Sequence, residues 1–179
     1  MDQDQHPDPK LAGELRQTAG AEWAAEAAED ERLTELGRRR RLNLEDLAKE
    51  MANRGERVSV EYGGHSFSGV IVGGGHDFVT IQGSGQIAEV RLERARWSIL
   101  NADGPPVQAV STVASFQAAL HEHAAGQTII RLTLDQGDLV IGKIGVVAAD
   151  HVEVADVDER RLYVPLEIVL GTIRSTDSQ

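Results

Sequence analysis

The sequence predicts a mainly β protein in which acidic amphipathic helices precede two tandem five-stranded small barrels, and three observations lead there. The second half repeats itself: Val58 to Val72, His76 to Ile81, Val90 to Leu92 and Ile99 recur as Ile130 to Ile144, Asp150 to Val154, Val164 to Leu166 and Ile173, at an offset of 72 to 74 residues. Within each copy apolar and polar residues alternate with period two between glycine-containing turns, the signature of short antiparallel strands. Ahead of the repeat the period changes to about four, which marks a helix with one apolar stripe. A repeat of this size is a unit able to carry its own core.

Residues 1–10 are expected to be disordered, because Pro7 and Pro9 punctuate a polar stretch with little to bury. A helical leader spans 11–54. Leu11, Leu15, Ala19, Trp23 and Ala27 recur every four residues, Leu33 and Leu36 prolong the stripe, and Glu14, Glu22, Glu26, Glu29, Asp30, Glu31 and Glu35 occupy much of the remaining surface. Asn43 is placed to cap a second helix from Leu44 to about Arg54, with Leu44, Leu47 and Met51 on one face, and Gly55 stops it.

The first barrel spans 55–101, with strands near 57–62, 67–72, 78–81, 87–92 and 97–100. Residues 102–109, with Asp103, Gly104, Pro105 and Pro106, read as a linker. The segment 110–175 holds a short helix and the second barrel. Ser111 or Thr112 starts the helix, Val113, Phe116 and Leu120 share a side, and Gly126 ends it; strands follow near 128–134, 139–147, 151–156, 161–165 and 168–174, with Pro165 at the last break. Residues 176–179 are a tail. Gly69 and Gly142 sit mid-strand, where a missing side chain permits a sharp bend of the sheet. The expected core is Val58, Val60, Val70, Phe78, Val79, Ile81, Val90 and Leu92 in the first copy and Ile130, Leu132, Leu134, Ile144, Val152, Val154, Val164 and Leu166 in the second.

Composition narrows the function classes. Hydrophobic residues make up 41% of the 179, but Phe, Tyr and Trp together number only seven, so Val, Ile and Leu must fill the cores. The absence of cysteine removes disulfides, thiolate nucleophiles and thiolate zinc sites and points to the cytoplasm. The acidic start lacks the basic and apolar regions of a secretory signal, and no apolar run approaches the roughly 20 residues of a membrane span. Net charge is −11, and the excess acid is spread along the chain, so a polyanion is repelled by most of the surface. Arg38, Arg39, Arg40 and Arg41 are the one basic run. They read either as the last turn of a helix, where cations meet the negative end of its dipole, or as a phosphate-binding patch.

No motif specifies catalysis. His76 with Asp77 and Asp150 with His151 are neighbour pairs that fall out of alignment in the repeat: Asp77 matches Asp150, whereas the histidines do not match each other, and the aspartates are expected to cap their own turns. His121 and His123 lie two apart on a helix and point in different directions, and His65 stands alone in a glycine turn. Gly73, Gly74 and Gly75 lack the following helix and Lys-Ser or Lys-Thr of a phosphate loop. Asp156, Asp158 and Glu159 lack the Gly and terminal Glu of a calcium loop. Catalytic, cofactor-binding and metal-ligating residues are therefore expected to be none.

The glycine and aspartate spacing resembles the first motif of the Sm-like family, in which a Gly turn, a large apolar residue, a second Gly and an apolar-Asp-apolar element follow in order. Gly64, Phe67, Gly69 and Asp77-Phe78-Val79 match it in the first copy, and Gly137, Val140, Gly142 and Asp150-His151-Val152 in the second, over about 100 residues. The resemblance implies tandem small barrels and an association with RNA. Where the family carries its Arg-Gly or Lys-Gly base clamp, this chain has Val90-Arg91-Leu92-Glu93 and Val164-Pro165-Leu166-Glu167. The whole arrangement is also similar to a group of actinobacterial conserved proteins of unassigned function, some loosely labelled Fis-family regulators. That label implies a C-terminal helix-turn-helix, whereas this C-terminus is β-patterned.

The leading expectation is a non-catalytic cytoplasmic adaptor that binds another protein through its barrels and acidic helix, with Leu15, Trp23 and Leu36 as contacts. The alternative is an Sm-like regulator associated with RNA or another nucleic acid, using Arg38, Arg39, Arg40, Arg41, Arg91, Arg94 and Arg96. Whether carboxylates neutralise those arginines separates the two. No membrane partner is expected, and tandem barrels are compatible with a homo-oligomer.

Overall fold

A computed structural model describes residues 9–101 and 113–176. The chain divides into two compact units, Met1–Leu42 and Asn43–Gln179. The first is built on α1 (Pro9–Arg39). Proline suits the first helical position, where its missing N–H has no intrahelical acceptor, so the helix takes in the last two residues of the segment expected to be disordered; residues 1–8 lie outside the described residues. No helix among the described residues is long and apolar enough to cross a membrane.

The second unit opens with α2 (Leu44–Asn53), whose N-cap Asn43 accepts the Asp46 amide at 2.8 Å as its position requires. Sequence grouped this helix with the leader; the structure packs it on the sheet. It buries Ala48, Met51 and Ala52 and packs Leu47 beside them, so of the expected stripe Leu47 and Met51 face the core and Leu44 stays exposed.

Among the described residues ten strands follow: β1 (Arg57–Tyr62), β2 (His65–Gly74), β3 (Phe78–Gln82), β4 (Gln86–Arg91), β5 (Arg96–Asn101), β6 (Ile129–Leu134), β7 (Leu139–Val147), β8 (His151–Asp156), β9 (Arg161–Pro165) and β10 (Val169–Ser175). Short 3-10 turns at Leu92–Arg94 and Leu166–Ile168 precede β5 and β10. A third helix, α3 (Phe116–Ala125), stands before β6. Its cap is Ser115, whose hydroxyl accepts the Ala118 amide, rather than Ser111 or Thr112, which lie outside the described residues together with the linker 102–109.

All ten strands are antiparallel in one open sheet, ordered β5-β1-β2-β3-β4-β10-β6-β7-β8-β9. The two copies of the repeat occupy successive five-strand halves with the same internal order. Two apolar clusters largely follow the halves, with Val58, Val60, Ile71, Ile81 and Val90 at the centre of one and Leu120, Ile130, Leu132, Ile144, Val152 and Val154 at the centre of the other, but Leu170 of β10 packs in the first and Phe78 of β3, expected in the first core, packs in the second. Three expected core residues, Val70, Leu134 and Leu166, are only half-buried. In β2 the inward set is Phe67, Gly69 and Ile71, so alternation turns Val70 outward.

The equivalence of the halves extends to detail. Gly69 pairs with Val58 and Gly142 with Ile130. A Cβ at Gly69 would strike the Gln82 carbonyl, and one at Gly142 the Ala155 carbonyl. Irregularities follow at Ile71/Gly73 and Ile144/Val146. The Asp77 and Asp150 carbonyls accept the Leu92 and Leu166 amides at 2.9 and 2.8 Å. Both bends therefore depend on glycine. Gly142→Ala is expected to lower stability by about 1–3 kcal/mol through overpacking, whereas Gly145→Ala, whose Cβ would meet nothing closer than 3.8 Å, should stay within about 0.5 kcal/mol. Denaturant titration of the two variants distinguishes them.

Candidate functional site

Two polar constellations are assembled in the second unit. One is a cleft of about 880 Å³ lined by His76, Asp77, Arg91, Phe116, Asp150 and Glu167 among others. The turns before β3 and β8 supply the aspartates, and the ends of β4 and β9 supply Arg91 and the Leu166 turn. The Asp77 carboxylate accepts the Phe116 amide at 2.8 Å, capping α3 rather than its own turn. The His76 ring bonds to the Ala114 carbonyl. Arg91 donates to the Leu166 carbonyl at 3.1 Å and lies 5.9 Å from the centre of the Phe116 ring. These three side chains are engaged in holding α3 and the second half in place.

Asp150 and His151 do form a pair, at 2.6 Å, and the bond from His151 holds the Asp150 carboxyl below its ordinary range. The pair is exposed, and its counterparts Asp77 and Phe78 form nothing like it. The cleft thus offers three carboxylates and one committed guanidinium, an unfavourable lining for a polyanion. Among the described residues no three His, Asp or Glu side chains gather to hold a metal ion.

The second constellation was not anticipated. Glu89 of β4, 9% exposed, receives Thr172 of β10 at 2.9 Å and bonds to His123 of α3 at 2.7 Å, with both partners buried. Burial opposes ionisation of Glu89, but the bonds from His123 and Thr172 and the nearby charges of His123 and Arg174 outweigh it and hold the carboxyl below its ordinary range. Two sequence signals point here: Glu89 interrupts the apolar run of β4, and His123 falls on the helical face of Phe116 and Leu120. His65, expected to stand alone, bonds to the Gly137 carbonyl at 2.8 Å and so links the first turns of the two halves.

The sequence-predicted interaction residues are dispersed. Trp23, Leu33 and Leu36 are exposed along α1, Trp23 by 76%; the side chain of Leu15 lies outside the described residues. Arg38 and Arg39 both bond to Glu35 at 2.7 Å, which pulls the Glu35 carboxyl down to about 2. Arg41 donates to the Gly37 carbonyl, and Arg40 lies in the turn after the helix. Arg96 pairs with Glu61 at 3.5 Å, and Arg94 lines the same shallow groove. Arg38 and Arg39 stand in the last turn of α1. Compared with known proteins, the chain matches no family model and no curated sequence.

Because Glu89 is depressed in the folded state, its contribution is fully present above about pH 4.5, the ordinary value, and is lost as pH falls through the lower folded value. The stability difference between the native chain and Glu89→Gln should therefore be largest near neutrality and shrink below that pH. Thermal unfolding of both proteins across a pH series measures it.

Proposed function

We propose that the chain is a non-catalytic cytoplasmic adaptor that binds a protein partner through α1, with the two five-strand halves, read as tandem Sm-like small barrels, serving as its scaffold. The observation that carries this reading is the contrast between the two candidate surfaces. Large apolar side chains stand exposed on α1, where an acidic solvated helix has no need of them. Of the seven arginines that a polyanion would require, three meet carboxylates, two at Glu35 and one at Glu61, and two more donate to backbone carbonyls. Without a base clamp, nucleic-acid affinity rests on phosphate contacts, which a net charge of −11 opposes.

In this reading Trp23→Glu combined with Leu36→Glu, both exposed, leaves the fold intact and removes the partner. Capture from native lysate by the full-length protein should survive nuclease treatment and be lost in the double variant, with circular dichroism confirming that the variant remains helical. Capture that disappears on nuclease treatment, or tight binding of a short single-stranded RNA at about 0.15 M salt where phosphate contacts are screened, would establish the nucleic-acid reading in its place.

A further inference from the structure

Each half of the sheet carries a helix at the same place in the repeat, for α2 precedes β1 as α3 precedes β6. The correspondence holds residue by residue. Asn43 accepts the Asp46 amide as Ser115 accepts that of Ala118, the Glu56 amide returns to the Met51 carbonyl as the Thr128 amide does to that of His123, and the positive φ of Gly55 recurs at Gln127. Ala48 is therefore the counterpart of Leu120. Strand register fixes a second pair, because Gly74 lies opposite Val79 as Val147 lies opposite Val152. Gly74 is the counterpart of Val147.

In the second half both positions are filled. Leu120 is fully buried, and Val147 packs against the same apolar cluster. In the first half they hold an alanine and a glycine, and a pocket of about 310 Å³ opens there between α2 and the β2–β3 turn, lined by Ala48, Ile71, Gly74, Phe78 and Val79 among others. The backbone keeps one wall bare. Gly74 stands at φ +153°, where a Cβ would lie 2.6 Å from the Phe78 carbonyl oxygen, whereas Val147 keeps a negative φ. One repeat thus encloses a space that the other fills with side chains.

The lining selects the occupant. The volume stands at the lower end of the range of ligand sites, roughly 300–1,000 Å³, and is about twice that of an apolar cavity able to hold benzene, so one or two rings fit. Ala48, Ile71, Phe78 and Val79 give it an apolar interior, in which a charge would lose its hydration without gaining a partner. The ionic groups of the lining are already matched. Lys49 donates to Glu45 at 2.6 Å, a bond that raises the Lys49 pKa above its ordinary value, and the His76 ring bonds to the Ala114 carbonyl. We propose that this pocket binds a small uncharged apolar molecule of one or two rings. The site uses no residue of α1 and is independent of the protein-binding surface proposed there.

Indole, uncharged and bicyclic, and indole-3-carboxylate, its anionic match, test the site in the full-length protein. In amide-detected NMR, indole at up to about 5 mM, enough to occupy most of even a millimolar site, should shift the signals of α2 and of residues 71–79 and saturate. The carboxylate should leave them in place. Ala48→Leu, which restores the residue of the second half, should stay folded and lose the indole response; Ala48→Met, with a more pliable side chain, takes its place if the leucine variant does not fold. The absence of a saturable shift with indole, a shift centred outside these residues, equal binding of the carboxylate, or a folded Ala48 variant that still binds indole would overturn the proposal.

Discussion

Five residue pairs between β4 and β10 make one sheet out of two repeats, and most of the second unit's geometry depends on them. Each of these strands has a neighbour on its other side as well, β3 and β6 respectively, so the joint lies in the interior of the sheet. Into it the chain places a carboxylate. An unpaired charge there would cost several kcal/mol, and Glu89 is stable only because Thr172 and His123 reach it from two other elements. The requirement therefore fixes three things together: the register of β10 on β4, the seating of α3, and the face of α3 that turns inward. His65 and Gly137 reinforce the joint from the turns, where Gly63, at φ +52°, brings its backbone so near Leu134 that a side chain would collide with the carbonyl.

The strands were legible because each feature that defines them is local. Alternation, glycine turns and the paired spacing from Gly69 to Asp77 and from Gly142 to Asp150 all lie within short stretches, and their repetition supplies an internal check. The residues that bend each half were legible for the same reason, since a glycine in mid-strand marks a bulge, a bend or a close approach of backbone. Asn43 was legible as a cap because its hydrogen bond spans three residues.

What the sequence withheld depends on residues far apart. Nothing near Asp77 says that its carboxylate will cap a helix beginning at Phe116, or that Arg91 will reach Leu166. The one sheet shared by both copies was equally hidden, because the pattern of a strand does not name its second neighbour. Glu89 and His123 were each visible as a polar residue on an apolar face, but their meeting depends on a joint formed by residues more than 80 positions apart, Glu89 and Thr172 among them. The placing of α2 on the sheet follows from small residues, Ala48 and Ala52, that carry little weight in a hydrophobic pattern and much in close packing.

The proposed function follows from the same constraints. The polar side chains that looked most reactive, His76, Asp77 and Arg91, are committed to holding the halves and α3 together, while large apolar side chains stand exposed on α1. On the proposed reading, a chain so arranged recognises surfaces rather than transforming small molecules, and the rigidity of its scaffold rests on the central joint. Amide hydrogen exchange tests that joint most directly. Residues 86–90 and 171–175 should exchange as slowly as those of β3 and β7, with all four strands opening only on global unfolding. Fast exchange along β4 and β10, with the flanking strands still protected, would contradict it and show two independent halves.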